Sequence, residues 1–513
     1  MVERSSRRVT RAGSSFELLP SRHSSMDVTV DVARSVPEGA TAIGVPVAAD
    51  GGVPRERVDL DRATLEASGF GATVGQTLVL PRADGPTIIE IGVGSRAELG
   101  AAAIRDAAAA FARAAVRHAD LAIDLTGVVS EVEARVAGQA VVEGVLMARY
   151  RYRAFIDRPS ERHLARLTLV APANRARSVA AGAQRGAITA GAVNTARDLC
   201  NAPATHLTAR RYAEVAERLG SDAGLDVQVF DEKQLAKLGC GGLLGVNAGS
   251  GEPARMIKLT YAPPGRSRGN LHLVGKGIMY DAGGISLKPS DAMHAAMKLD
   301  MSGSAAILGA MTTLRDLGCR TTVTGWLMCT DNMPSGTATR LGDVLTTHSG
   351  KTIEVINADA EGRLVMADGI DMAVEEGADA IVTVATLTGA ALRTFGTAGA
   401  AMMANRRDLA EQLDAAGAAT DELVWELPFI RRYRSQIDSA IADVKNMGGE
   451  NAGTITAGLF LEAFTEGIPY GYLDICGPMM TNADDSWRSV GATAFGTRLL
   501  AEFASNFKRP GAA

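Results

Sequence analysis

Short runs of β-branched and aliphatic residues alternate with helical runs along most of the chain. In residues 26–173, strand-like runs such as TIIEIGVG and LAIDL alternate with alanine-rich helical runs such as AAAIRDAAAAFARAAVRH. From about residue 201 the alternation resumes, with strand-like runs such as LHLVG (271–275) and ADAIVTVATL. The last helix is expected over roughly 491–507. Alternation of this kind is typical of a mostly parallel sheet whose crossover helices cover its faces. The sequence therefore predicts an α/β fold.

A long helical run separates the two alternating segments. It covers residues 174–200 and ends at Asn201-Ala202-Pro203, where the proline disfavours continuation. The length of 513 residues is sufficient for several domains. We predict a disordered tail over 1–25, an N-terminal structural or assembly α/β domain over 26–173, a linker helix over 174–200, and a catalytic α/β domain with a central, mostly parallel sheet over 201–513.

Composition and charge exclude several classes of function. The 53 basic and 58 acidic side chains sum to −5, so the chain has no overall basic field for nucleic acid or anionic lipid. No apolar run approaches the ~20 residues of a membrane span. The five cysteines are dispersed and contain no CxxC pair, which favours a reducing, cytoplasmic location over a disulfide framework. We expect neither a membrane nor nucleic acid as partner.

Charged residues cluster in three otherwise apolar stretches of the C-terminal half. Lys276, Asp281 and Lys288 follow the run LHLVG, and the ends of strands are where open α/β sheets bind ligands. The glycine pair after Asp281 permits a tight turn there. Asp300 immediately precedes a small-residue helical run, where the helix dipole favours an ionised carboxylate.

The third stretch is EVINADAEGRLVMADG. Asp359 and Glu361 are two residues apart after an apolar strand, so an extended chain would direct both to one face, and Arg363 continues the spacing. Four carboxylates and a lysine that converge in this way indicate a site for two divalent metal ions and an activated water. Oxygen-rich ligation favours manganese or magnesium, and zinc is also compatible.

At these residues the chain resembles the leucine aminopeptidase (cytosol aminopeptidase) family. The octapeptide NADAEGRL at 357–364 is similar to the family signature NTDAEGRL, with Ala358 in place of threonine. VGKGIMYDAGGISLKPS (274–290) and MKLDMSG (297–303) resemble its other two metal-site segments. Further similar segments are ATLTGA (385–390), ADVKN (442–446), LDICGP (473–478) and GATAFGTRLL (491–500), so the resemblance covers about 190–513.

The resemblance implies a metal-dependent aminopeptidase that removes the N-terminal residue of peptides and assembles as a homohexamer with two zinc or manganese ions per subunit. The implied metal ligands are Asp281, Asp359 and Glu361 for one ion, and Lys276, Asp281, Asp300 and Glu361 for the other. Lys288 and Arg363 would be the catalytic pair, with Lys288 stabilising the oxyanion and Arg363 holding a bicarbonate that acts as general base.

The chemistry of these residue types is consistent with the implied roles. A lysine that ligates a metal must be neutral, so its pKa must fall from ~10.4 to below ~7, which a nearby multivalent cation readily supplies. Arg363 stays charged and cannot itself be a base. Thr386, Leu387 and Met297 are expected to line the pocket for the first side chain of the substrate. An apolar pocket favours leucine-like residues with broad specificity, since one methylene changes binding by only ~1–3 kcal/mol.

Two other hypotheses remain open from the sequence. A dinuclear phosphoesterase is one, because paired carboxylates alone do not distinguish peptide from phosphate chemistry. The other is a hexamer that binds DNA as an architectural or regulatory protein. Arg149, Arg151 and Arg153 alternate with Tyr150 and Tyr152 and, with Arg175 and Arg177, could form a local basic patch. A solvated polar face is the simpler interpretation of that segment.

Overall fold

Two mixed α/β units make up the protein, as the alternation predicts. The computed structural model describes residues 28–53, 60–156 and 162–511. The tail predicted over 1–25 lies outside these residues. One unit contains a six-stranded sheet and the other an eight-stranded sheet. The domain boundaries at 26, 174 and 201 remain our proposal.

The N-terminal sheet has the strand order β1-β6-β5-β2-β4-β3. All of its pairs are parallel except that of β4 with β3. Its strands are β1 (Thr29–Ala33), β2 (Ala42–Val47), β3 (Thr77–Leu80), β4 (Thr87–Gly92), β5 (Asp120–Asp124) and β6 (Arg166–Val170). The helices of this part are α1 (Arg62–Ala67), α2 (Ala101–Ala114) and α3 (Ala134–Ala148), followed by the long α4 (Ala176–Asn201).

The large C-terminal sheet has the order β15-β14-β17-β13-β9-β10-β8-β7. Its strands and those of two small sheets are β7 (Asp226–Phe230), β8 (Arg255–Tyr261), β9 (Asn270–Asp281), β10 (Thr322–Asn332), β11 (Val344–Thr346), β12 (Thr352–Glu354), β13 (Ala380–Ala385), β14 (Ala400–Ala404), β15 (Val424–Glu426), β16 (Val444–Lys445), β17 (Tyr470–Asp474), β18 (Met480–Thr481) and β19 (Gly491–Ala492). The helices are α5 (Ala209–Asp222), α6 (Glu232–Leu238), α7 (Gly241–Asn247), α8 (Ala292–Ala295), α9 (Ser302–Thr313), α10 (Gly362–Glu375), α11 (Gly389–Phe395), α12 (Arg407–Thr420), α13 (Gly453–Glu462) and α14 (Thr497–Asn506). Among the described helices, none combines the length and hydropathy needed to cross a membrane.

Four neighbouring parallel strands, β17, β13, β9 and β10, form the centre of the large sheet. Their carboxyl ends therefore meet at one edge. The middle strand β9 is buried along nearly its whole length, since helices such as α9 and α10 pack against it. This edge is where the candidate site lies.

Two sequence expectations about element bounds were wrong. The strand that contains LHLVG was expected to end at about residue 275, but β9 continues to Asp281. The last helix was expected to begin near residue 491, but α14 begins at Thr497. Gly491 and Ala492 instead pair with Met480 and Thr481 in a small antiparallel sheet.

Helix α4 packs against α3 through glycines rather than large side chains. A Cβ atom added to Gly182 would lie 1.9 Å from the Arg135 carbonyl oxygen, and one added to Gly138 would lie 2.4 Å from the Val179 carbonyl oxygen. The two backbones are therefore too close for any side chain at these positions.

We expect Gly182→Ala to lower the free energy of unfolding by about 1–3 kcal/mol, because the added methyl group must push α3 and α4 apart. Gly191→Ala on the same helix is the matched control, since a Cβ there meets nothing within 4 Å. It should be neutral or stabilising by ~0.5–1 kcal/mol. Thermal unfolding of both variants checks this, and equal midpoints would contradict the packing argument.

Candidate metal centre

A bulge in β9 brings Lys276 and Asp281 to the same face of the sheet. Their odd spacing would place them on opposite faces of a regular strand. The pairing of β9 with β10 shifts register between the Thr330–Ile278 and Asn332–Asp281 pairs, which inserts one extra residue into β9. The bulge thus directs both side chains into the site.

Asp300 and Glu361 reach the same point from two helix N-termini. Asp300 lies just before α9, and Glu361 immediately precedes the first residue of α10. Carboxylate oxygens of Asp281, Asp300 and Glu361 lie within 4.8 Å of one another, and all three side chains are buried. The structure therefore brings together three of the acidic residues that the sequence singled out.

Lys276 lies between two of these carboxylates. Its Nζ is 2.7 Å from Asp300 Oδ2 and 2.7 Å from Glu361 Oε1, and it donates a hydrogen bond to the Thr386 carbonyl oxygen at 3.0 Å. A Cβ atom on Gly362 would lie 2.6 Å from the Lys276 Cδ and Cε atoms. The glycine of the AEGRL segment is thus required for the lysine side chain to pass.

Lys288 joins the other half of the cluster. Its Nζ lies 2.8 Å from Asp281 Oδ2 and 2.5 Å from Asp359 Oδ1. The chain turns back between Asp281 and Lys288 through Gly283, which has a φ of 87°. Its N–H donates to Asp281 Oδ1 at 2.8 Å. The predicted glycine turn is confirmed.

The extended arrangement expected for Asp359, Glu361 and Arg363 is wrong. Residues 358–359 form a turn, Glu361 has helical backbone angles, and Arg363 lies within α10. Asn446 stabilises this turn, since its Nδ2 donates to the Asn357 carbonyl oxygen at 2.7 Å. Asp359 is nevertheless brought to the cluster through its contact with Lys288.

Two polar side chains that fix the carboxylates were not assigned that role from the sequence. Asn332 Nδ2 donates to Asp281 Oδ1 at 2.8 Å, and Thr386 Oγ1 donates to Asp300 Oδ1 at 2.7 Å. Asn332 closes the apolar run of β10 at the same sheet edge as Asp281, a signal that could have revealed it. Thr386 was expected only as part of the substrate pocket.

The cluster carries a surplus of buried negative charge. Burial raises the pKa of Glu361 above its ordinary value, and the Asp281 carboxylate raises it further. Burial alone would lower the pKa of Lys276, but the Asp300 and Glu361 carboxylates raise it above its ordinary value. One buried oxygen of Asp300 and one of Glu361 lie 2.7 Å from Lys276 Nζ, and one of Asp359 lies 2.5 Å from Lys288 Nζ. Such a donor set fits divalent cations, which prefer carboxylate oxygens.

Arg363 differs from the two lysines because no carboxylate of the described residues lies within ion-pair distance of it. Its side chain is 6 % exposed, and its Nε is buried without a hydrogen-bond partner. Burial lowers the pKa of the guanidinium from its ordinary value, while Tyr472 and Glu361 act in the opposite direction. The site therefore contains a buried cation whose hydrogen-bonding capacity is not fully used by the protein.

A cavity of about 390 Å³ opens beside the cluster. Lys276, Asp281, Lys288, Asp300, Asp359 and Arg363 all line it. Thr386, Leu387 and Met297, which the sequence analysis assigned to the substrate pocket, line it as well. The structure thus places the candidate pocket residues beside the candidate metal ligands.

Both parts of the chain match one known family. The sequence pattern of the cytosol aminopeptidase family, catalytic domain, matches residues 194–501, and that of its N-terminal domain matches residues 61–158. The chain belongs to the cytosol aminopeptidase family. It is therefore a metal-dependent aminopeptidase, a hydrolase that acts on peptides.

Individual relatives agree with this assignment over long alignments. A probable cytosol aminopeptidase of Streptomyces coelicolor is 39 % identical over 469 residues, which cover 86 % of this chain and 89 % of the relative. One of Chlorobaculum tepidum is 43 % identical over 371 residues, which cover 70 % and 73 %. The solved structure of the bottromycin maturation enzyme BotP in complex with Mn has a TM-score of 0.82 at 36 % identity, covering 91 % of this chain and 99 % of that chain.

The two competing hypotheses gain no support. The family match favours peptide chemistry over phosphate ester chemistry. In the arginine-rich segment, Arg149 donates to the Ala115 carbonyl oxygen at 3.0 Å, and Arg151 pairs with Asp484 at 2.5 Å. Tyr150 is only 8 % exposed. These side chains stabilise the fold itself, which argues against the DNA-binding patch.

Proposed function

We propose that this aminopeptidase holds two divalent metal ions, manganese or zinc, and removes leucine-like N-terminal residues with broad specificity. The proposed ligands are Asp281, Asp359 and Glu361 for one ion, and Lys276, Asp281, Asp300 and Glu361 for the other. The observation that carries the proposal is the convergence of the Asp281, Asp300 and Glu361 carboxylates within 4.8 Å, in contact with two lysines.

Divalent ions at this position would polarise the scissile carbonyl, lower the pKa of a water nucleophile and bind the free amine of the substrate. The protein itself supplies the negatively charged ligands and holds them in a fixed orientation. Asn332 and Thr386 fix the carboxylates of Asp281 and Asp300 through hydrogen bonds. Because fixed ligands need no reorganisation during the reaction, these contacts contribute to catalysis as well as to binding.

We assign Lys288 to stabilise the negative charge that develops on the attacked carbonyl oxygen. Burial alone would lower the pKa of Lys288, but Asp281 and Asp359 raise it above its ordinary value, so the ammonium stays charged. A charged donor in a partly buried cavity stabilises an oxyanion strongly. Lys288 lines the cavity and is 18 % exposed, which leaves it accessible to a substrate.

We assign Arg363 to hold a bound anion such as bicarbonate that accepts the proton of the nucleophilic water. A guanidinium stays protonated at working pH and has no acceptor atoms, so it cannot take the proton itself. The support is the buried Nε of Arg363, which has no hydrogen-bond partner in the described structure.

Metal removal provides the direct test. After chelation, release of p-nitroaniline from leucine-p-nitroanilide should fall to background, because the proposed nucleophile and amine anchor are lost together. Manganese or zinc should restore it, with magnesium as the third ion compared. The N-acetylated substrate is the control and should not be cleaved. Full activity in the chelated protein, or equal cleavage of the acetylated substrate, would contradict the proposal.

We also propose that the chain assembles as a homohexamer. Two apolar side chains support an interface between copies of the chain. Leu423, just before the edge strand β15, is 54 % exposed, and Trp425, within that strand, is 64 % exposed. The molar mass measured by light scattering tests the assembly.

A further inference from the structure

We propose that Arg393 binds a carboxylate of the substrate and so favours, within the broad specificity proposed above, peptides that carry a carboxylate close to the scissile bond. The inference deepens the proposed function and rests on it. It concerns which substrates are favoured, and it is independent of which metal ion is bound.

Arg393 lies on α11, whose N-terminus continues from the residues beside the metal cluster. Thr386 accepts a hydrogen bond from Lys276 and donates one to Asp300. The helix begins at Gly389, and the Arg393 guanidinium folds back along it, with Nη2 3.6 Å from the position that a Gly389 Cβ would occupy. Because that position is a glycine, no side chain there separates the guanidinium from the cavity, which Arg393 lines.

The other three basic side chains that line the cavity already have proposed roles in the metal centre. Lys276 and Lys288 each contact two carboxylates, and Arg363 is buried. Arg393 is exposed, and among the described residues no hydrogen-bond acceptor or carboxylate pairs with its side chain. Its planar fork of N–H donors is therefore available, and that geometry matches a carboxylate in a bidentate contact.

The surroundings of Arg393 define what it can bind. The neighbouring part of the cavity wall is largely apolar and includes Leu392, Ala390 and Met447. Glu450 is an acidic residue of the same wall, and it forms no ion pair with Arg393 within 4.0 Å. A carboxylate of the substrate that binds in this part of the cavity would therefore pair with the Arg393 guanidinium in mainly apolar surroundings.

Two substrate carboxylates have this chemistry. One is the side chain of an N-terminal glutamate or aspartate, and the other is the C-terminal carboxylate of a dipeptide. Two matched pairs of substrates distinguish them. Glutamyl- and glutaminyl-p-nitroanilide differ only at the side chain, whereas Leu-Leu and Leu-Leu-amide differ only at the C-terminus.

The experiment compares kcat/KM ratios in the manganese-loaded enzyme. For at least one pair, we expect Arg393→Met to reduce the ratio of carboxylate to amide substrate by about ten-fold, the worth of one charge-assisted hydrogen bond. Arg393→Lys should reduce this ratio by a smaller factor, because lysine keeps the positive charge but not the planar pair of N–H donors. Glu450→Gln should shift the ratio in the opposite direction, since it removes a competing negative charge.

Arg320→Met, which removes an exposed arginine that does not line the cavity, is the control and should leave both ratios unchanged. A fall in the glutamyl ratio alone identifies the side-chain carboxylate, and a fall in the Leu-Leu ratio alone identifies the C-terminal one. If Arg393→Met changes neither ratio, the inference is overturned. If the unmodified enzyme cleaves none of the four substrates, the proposed function itself has failed.

Discussion

Glutamine in place of Glu361 is expected to reduce kcat/KM for leucine-p-nitroanilide on the order of a thousand-fold. Glu361 is 1 % exposed, its Oε1 lies 2.7 Å from Lys276 Nζ, and it is proposed to contact both metal ions. The amide has nearly the same shape but lacks the negative charge that balances a divalent cation. The bound manganese, measured by elemental analysis, should fall together with activity.

Glu375→Gln is the matched control for this prediction. Glu375 is the last residue of α10, the helix that begins directly after Glu361, and its side chain is 64 % exposed beside His348. We expect its activity and metal content to stay close to those of the unmodified enzyme. A Glu361→Gln variant that keeps its full metal content and a tenth or more of the activity would show that Glu361 is not a ligand.

Leucine in place of Glu143 is expected to lower the free energy of unfolding by about 3–5 kcal/mol, because it leaves buried arginines without their partner. Glu143 Oε2 lies 2.8 Å from Arg105 Nε and 3.2 Å from Arg498 Nη1. Its other oxygen accepts hydrogen bonds from Gln139 and Thr189, both at 2.8 Å. The network joins α2, α3 and α4 to the C-terminal helix α14, so its loss weakens the contact between the two α/β units.

A partly exposed ion pair in the same region is the control. Arg185 pairs with Glu502 between α4 and α14 at 2.6 Å, with side chains 17 % and 24 % exposed. Arg185→Met should cost no more than ~1 kcal/mol, because solvent screens the pair. Urea unfolding of both variants checks the contrast, and a Glu143→Leu cost as small as that of Arg185→Met would contradict the role of the buried network.

Acid should weaken this network in a defined pH range. Burial alone would raise the pKa of Glu143, but Arg105 and Arg498 lower it from 4.5 to about 2. The unfolded chain therefore binds the proton at higher pH than the folded protein does. The contribution of ionised Glu143 to the free energy of unfolding is therefore complete above about pH 5, and it is lost as the pH falls towards the folded-state pKa of about 2. Between pH 5 and pH 3, the melting temperature should fall less in Glu143→Leu than in the unmodified protein.

Particular residues show how far local pattern predicts this fold and site. The strand–helix alternation predicts both sheets, because each element buries one face at its own period. The spacing of Asp359, Glu361 and Arg363 led to a wrong expectation, since a turn and a helix replace the extended chain. Asn446 contributes to that turn from a segment far along the chain.

Local sequence was sufficient for the α/β class and the family, and it singled out charged residues that the fold brings together, because hydrophobic periodicity and short motifs involve only neighbouring residues. The same-face placement of Lys276 and Asp281 was not encoded locally. It depends on a bulge in the register of β9 against β10. The hydrogen bond of Thr386 to Asp300, the buried network of Glu143 and the available guanidinium of Arg393 could not be predicted from the sequence either, whereas Asn332 left a signal at the end of β10. Each depends on which distant segments pack together, and burial and hydrogen-bond partners are properties of the folded chain.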